Sequence, residues 1–148
     1  MSIKWDKRFL ELAQLVSTWS KDPSSKVGAV AVNDRHQVLA MGYNGFPRGI
    51  ADDNRLNIRE QKYEIIVHAE MNLVYNASYN GVSLDGSTVY VTGLPVCSNC
   101  AKGLIQVGVK RIVMPYNEDL PEKWKQSFEL SKSLFDETNV QYEFLKLV

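Results

Sequence analysis

The sequence predicts an α/β fold, a three-layer α/β/α sandwich on a mixed five-stranded sheet. Three observations point there: an amphipathic helix opens the chain, two short apolar runs parted by turn residues follow it, and the latter half alternates strand and helix patterns. In the opening segment Trp5, Phe9, Leu12, Ala13, Val16 and Trp19 recur at three- and four-residue steps, so they share one stripe of a helix that stops near Asp22-Pro23. That stripe needs a sheet to pack on.

Residues 27–32 and 37–41 supply the first two strands, and Asn33-Asp34-Arg35-His36 between them is a hairpin signal. Residues 42–53 hold three glycines, a proline and two adjacent aspartates, which is loop composition, and loops of that length in a small domain often carry function. A helix is expected over 69–81, a strand over 88–92 ending at Gly93-Leu94-Pro95, and a helix over 98–108 with Ala101, Leu104 and Ile105 inward. A short strand over 111–114, a helix over 122–135 and a last strand over 140–147, with Val140, Tyr142 and Phe144 on one face, complete the pattern. There is no internal repeat and no low-complexity segment.

The 148 residues suit a single domain spanning 1–148, long enough to bury roughly two-thirds of the surface of the unfolded chain. Apolar residues at 45% and charged residues at 23% exclude a disordered or fibrous chain. Lys plus Arg and Asp plus Glu balance at 17 each, so no global positive field exists to concentrate a nucleic-acid polymer, and none is expected as a partner. The charged opening segment does not read as a leader, and no run approaches membrane-spanning length, which predicts a cytoplasmic protein with no membrane partner.

Cys97 and Cys100 form a C-x-x-C, a spacing that in an intracellular chain signals metal or redox chemistry rather than a disulfide framework. With His68 they make three ligands, the number a catalytic zinc ion takes from protein while one position stays open to water. His68 precedes one predicted helix and Cys97 starts another, so two helix N-termini would face the ion and favour thiolates. A structural zinc would want a fourth ligand, for which only His36 or a carboxylate remains, and a redox pair is the other plain reading. Glu70, two residues beyond His68 on the first helical turn, would point to a different side and overhang the open position. First-turn glutamates are commonly there only for the helix dipole, but the spacing from His68 favours proton transfer. His36 reads as a solvated turn residue, Asp52-Asp53 reads equally as a solvated turn or an effector site, and Trp5, Trp19 and Trp124 read as core or interface.

His68-Ala69-Glu70 with downstream Pro95-Val96-Cys97-Ser98-Asn99-Cys100 resembles the H-x-E and P-C-x-x-C signature of the cytidine deaminase superfamily. Gly42-Tyr43-Asn44-Gly45-Phe46-Pro47, Asp52-Asp53, His68-Ala69-Glu70-Met71-Asn72 and Cys100-Ala101-Lys102 narrow the resemblance to its deoxycytidylate (dCMP) deaminase branch, in the same order along nearly the whole chain. One departure stands out: Val96 separates the proline from the first cysteine and would shift the loop entering the metal helix.

The resemblance implies a Zn²⁺-dependent hydrolysis of dCMP to dUMP and ammonia, supplying dUMP for thymidylate synthesis. Glu70 would pass a proton from the attacking water to ring N3 and then help protonate the departing amine. It further implies that Asn44 bonds the sugar and that the Ala69 amide meets the pyrimidine edge. Ser24, Ser25 and Lys26 offer hydroxyls and a charge for the phosphate. Also implied is a homo-oligomer, a hexamer, activated by dCTP with Mg²⁺ and inhibited by dTTP through Asn44, Gly45, Gly49, Asp52 and Asp53. Deaminases of cytidine, tRNA adenosine or guanine, and a zinc-bearing nucleotide-binding module without turnover, remain open alternatives.

Overall fold

The computed structural model describes residues 2–115 and 119–146. Helix α1 (Ile3–Ser17) leads into strands β1 (Gly28–Val32) and β2 (Val38–Tyr43). A 3-10 turn (Asn54–Asn57) and a short helix α2 (Arg59–Ile65) precede α3 (Ala69–Tyr79), and β3 (Thr88–Thr92), α4 (Ser98–Gln106), β4 (Arg111–Met114), α5 (Glu122–Glu137) and β5 (Gln141–Phe144) follow. The sheet runs β2-β1-β3-β4-β5, antiparallel on either side of β1 and parallel from β3 through β5, so it is the expected mixed sheet of five strands.

Alternation along the buried strands divides the core in two. Ala29 and Ala31 of β1, Val89 and Val91 of β3, and Ile112 and Met114 of β4 pack with Leu73, Leu104, Phe128 and Phe135 from α3, α4 and α5. Val30, Val32, Tyr90 and Val113 face the other way, onto Phe9, Leu10, Ala13 and Val16 of α1. The layers are therefore unequal, with α1 on one face and α3, α4 and α5 on the other.

Two glycines let helices approach the sheet closely. A Cβ on Gly28 would collide with the Ala13 carbonyl and the Ser17 amide of α1, and one on Gly42 would meet the Ala69 carbonyl and the Leu73 amide of α3. Gly42 thus seats the N-terminus of α3 against β2.

Several boundaries differ from expectation. Helix α1 ends at Ser17 and leaves Trp19 half-exposed beyond it, and α2 with its 3-10 turn occupies a stretch with no predicted element. The last strand is shorter than predicted, Gln141–Phe144, because β5 is an edge whose outer residues are exposed; Leu147 lies outside the described residues. His36, in the left-handed conformation at the β1–β2 turn, is not simply solvated: it stacks on Trp5 at 4.2 Å. Among the described residues no helix is long and apolar enough to cross a membrane.

Candidate active site and metal centre

His68 and Cys97 are the residues from which α3 and α4 start, both in extended conformation, their carbonyls accepting the first helical bonds from Asn72 and Ala101 at 2.9 Å. Cys100 sits one turn into α4. The His68 Nδ1 lies 3.4 Å from both the Cys97 and the Cys100 sulfur, and the three ligand atoms fall within 4.8 Å of one another. A tetrahedral zinc with Zn–S near 2.3 Å and Zn–N near 2.05 Å would hold N and S about 3.5 Å apart, so these separations are those of neighbouring ligands around one ion. Among the described residues this is the one group of three His, Cys, Asp or Glu donors that converges so closely, with His36 stacked elsewhere on α1 and no fourth donor joining it.

The electrostatics of the donor set agree with its geometry. A hydrogen bond from Cys100, reinforced by His68, pulls the Cys97 thiol down to about 4, while the same bond and burial push the Cys100 thiol far up. The bond to Cys97 raises His68. A divalent cation completes such a set by displacing its protons. Burial first, and then the Cys97 thiolate, pushes the Glu70 carboxyl up to about 7. That side chain is 3% exposed and lines the same cleft as His68 and Cys97.

The extra Val96 is accommodated rather than disruptive. Its side chain is fully buried, its carbonyl accepts the Ser131 hydroxyl at 2.8 Å, and the next turn is tied to α5 through the Ser98 amide and Ser127 Oγ at 2.9 Å. Helix α5 therefore braces the loop that carries the cysteines, and Pro95 remains on the cleft wall.

The cleft that these residues share opens to solvent. Asn44, Ala69, Ser24 and Ser25 all line it. Asn44 is also an architectural residue: its Oδ1 accepts the Val27 amide at 2.9 Å and its Nδ2 donates to the Ser25 carbonyl at 2.8 Å and to Asp22 at 3.4 Å. Lys26 stands apart from the lining, exposed, with its ammonium donating to the Ser20 carbonyl. In the loop, Gly45 exchanges two backbone bonds with Val67 beside His68, at 3.1 and 2.8 Å, and Gly49 is exposed. Asp52 pairs with Lys21 at 3.0 Å and Asp53 with Arg55 at 2.8 Å, both near the surface.

Sequence reasoning did not place Asp22, Val27, Lys62, Tyr63, Ile66, Leu94 and Trp124 at the site, and they complete the wall. Asp22 and Leu94 left a trace, in the turn signals Asp22-Pro23 and Gly93-Leu94-Pro95; Trp124, read as core or interface, is half-buried at the cleft.

Residues 3–115 match the family model of the cytidine and deoxycytidylate deaminase zinc-binding region. A deaminase from the luxG 3′ region of Aliivibrio fischeri is 37% identical over 99% of this chain and 97% of the relative, and the deoxycytidylate deaminase of Pongo abelii is 34% identical over 95% and 79%. The crystal structure of dCMP deaminase from cyanophage S-TIM5 in complex with dCMP and dUMP superposes with a TM-score of 0.77 at 25% identity, covering 98% of this chain and 99% of that one.

Proposed function

The chain belongs to the cytidine and deoxycytidylate deaminase family, and from that premise we propose that it hydrolyses dCMP to dUMP and ammonia, with His68, Cys97 and Cys100 holding one zinc ion. The observation that carries this reading is the buried Glu70 carboxyl in a cleft beside three converging donors. When bound, zinc supplies the Lewis acidity that makes water nucleophilic near neutral pH.

Glu70 then moves the protons. Its buried carboxyl, lining the cleft beside the donors, can take a proton from the attacking water, hand it to N3 of the pyrimidine as C4 is attacked, and afterwards help protonate the amine that leaves. The Ala69 amide, in the first turn of α3, has no intrahelical acceptor and could donate to the pyrimidine edge. Asn44 keeps a second lone pair on Oδ1 for a sugar hydroxyl, and Ser24 and Ser25 offer hydroxyls to the phosphate. Lys26 would reach the phosphate only by leaving the Ser20 carbonyl.

The single domain would supply dUMP for thymidylate synthesis in the cytoplasm. By resemblance it would do so as a homo-oligomer of hexameric size, switched on by dCTP with Mg²⁺ and off by dTTP at the loop of Asn44, Gly45, Gly49, Asp52 and Asp53. There an incoming effector would have to exchange the Lys21 and Arg55 partners of the two aspartates.

Ammonia release by the zinc-loaded protein across dCMP, CMP, cytidine and deoxycytidine tests the assignment. We expect dCMP to be the preferred substrate, with sigmoidal kinetics that dCTP makes hyperbolic and dTTP suppresses. Release from cytidine but not dCMP would move the substrate. Silence on all four, and on guanine, would leave a nucleotide-binding module.

A further inference from the structure

The outer edge of the sheet at β2 is closed by side chains of a helix. Strand β2 is first in the order of strands, so one row of its backbone groups meets no neighbouring strand. Alternate residues of a strand send their carbonyls to the same side, which places those of Met41 and Tyr43 together on that open edge. Asn72 of α3 donates its Nδ2 to the Tyr43 carbonyl at 2.8 Å, and Asn76 donates its Nδ2 to the Met41 carbonyl at 2.7 Å. Four helical residues rise about 6 Å and two strand residues about 6.8 Å, so side chains one turn apart on α3 match alternate carbonyls of β2.

The two asparagines differ in what else they hold. Asn76 Oδ1 accepts from Arg48 of the loop, whose guanidinium lies 5.4 Å from the centroid of the Tyr79 ring, so it serves the part of α3 away from the metal donors. Asn72 instead closes on the chain around His68. Its Nδ2 also faces the Val67 carbonyl at 3.4 Å, and its backbone amide donates to the His68 carbonyl at 2.9 Å. Val67 is itself fastened to Gly45 by backbone bonds of 3.1 and 2.8 Å. One residue thus joins the sheet edge, the segment entering the site and the first metal ligand, and it stands two positions beyond Glu70. With the Val67 and His68 carbonyls both engaged, the backbone that aims the imidazole at Cys97 and Cys100 has little room to turn.

We propose that Asn72 is a positioning residue for the metal centre: it pins the His68 backbone to the edge of β2, and so sets both the affinity for zinc and the place of Glu70. The inference rests on the zinc-dependent deaminase reading of the same site. Groups that orient a metal ligand from behind commonly matter to affinity almost as much as the ligand's own neighbours do, because a misdirected imidazole must be realigned at the moment of binding.

Competition for zinc between the loaded protein and a chromophoric chelator tests it on wild type, Asn72→Leu and Asn76→Leu. Leucine has nearly the volume of asparagine, favours helix and cannot donate, so both variants lose one side-chain tie to β2 and differ in where they lose it. Zinc affinity should fall at least about tenfold in Asn72→Leu and stay near wild type in Asn76→Leu. In zinc-saturated Asn72→Leu, kcat for dCMP should fall while KM holds, because Asn44 keeps its own bonds to Val27 and Ser25. Unchanged affinity in Asn72→Leu, or equal loss in both variants, would show a merely structural asparagine and overturn the proposal, as would a raised KM at full kcat. If Asn72→Leu does not fold, Asn72→Ala, which admits water to the two carbonyls, takes the same measurement and is held to the same outcomes. Asn72-dependent zinc affinity in a protein that releases no ammonia from dCMP would uphold the positioning role and defeat the substrate assignment. Full turnover of dCMP with zinc affinity blind to Asn72 would defeat the positioning role alone.

Discussion

Glu70 is buried with no ion pair among the described residues, so its carboxylate is held at a free-energy cost that raises its affinity for a proton. A group kept in an unfavourable environment at a cleft is the mark of chemistry, and it separates Glu70 from the many first-turn glutamates that only answer a helix dipole. Glu70→Gln keeps the volume and removes the charge. Turnover should fall by about two orders of magnitude or more, as for loss of a positioned acid/base. Zinc content, read by metal analysis, should stay at the wild-type level, and the thermal midpoint should not drop, because the desolvation cost goes with the charge. Retained ammonia release in that variant would remove Glu70 from the mechanism.

At the scale of elements, the metal ligands depend on how α3 sits on β2, and Gly42 is where that contact is tightest. In Gly42→Ala the new methyl meets the Ala69 carbonyl and the Leu73 amide, so α3 must lift and carry His68 and Glu70 with it. Overpacking of this kind costs about 1–3 kcal/mol, and zinc occupancy should fall together with stability. Gly28→Ala makes the equivalent clash with α1, on the opposite face of the sheet, and should destabilise comparably while the folded protein keeps its zinc. Chemical denaturation with metal analysis on both variants checks the contrast; equal zinc loss would show that α3 seating is not what orders the ligands. These elements also show what a sequence exposes. Helix α1 is legible because its buried stripe answers one partner, the sheet, and His68, Glu70, Cys97 and Cys100 are legible because their spacing is local to two helix starts. Helix α2 is not legible: it is a polar segment with no apolar period, and its buried residue is Lys62, whose partner Asp22 lies forty residues away. Lys26 follows Ser24 and Ser25 in sequence and looks equivalent, yet the turn delivers the serines to the cleft and sends Lys26 to the Ser20 carbonyl.

Across the whole molecule, the face opposite the metal is closed by a polar network. Asp6 of α1 takes two bonds from Arg111 of β4, at 3.0 and 2.7 Å, and one from the Tyr90 hydroxyl of β3 at 2.7 Å, while Arg111 also reaches Glu143 of β5 at 3.1 Å. The first helix is thereby tied to the last strands of the sheet. Burial pushes the Asp6 carboxyl up, but Arg111 and Tyr90 together outweigh it and hold the group below its ordinary value of 3.8. A carboxyl depressed in the folded state contributes stability that is fully present above its unfolded value and is lost as pH falls through the lower, folded one. Asp6→Asn should therefore lose about 3 kcal/mol near neutral pH, since it leaves Arg111 buried beside a neutral amide with, among the described residues, the exposed Glu143 as its one remaining carboxylate. The gap between variant and wild type should narrow as pH drops below 3.8, where the native carboxyl takes up its proton. Urea denaturation of both proteins across the acid range measures that gap directly. A deficit that stayed constant with pH would mean that packing around Asp6, and not its charge, joins the two ends of the chain.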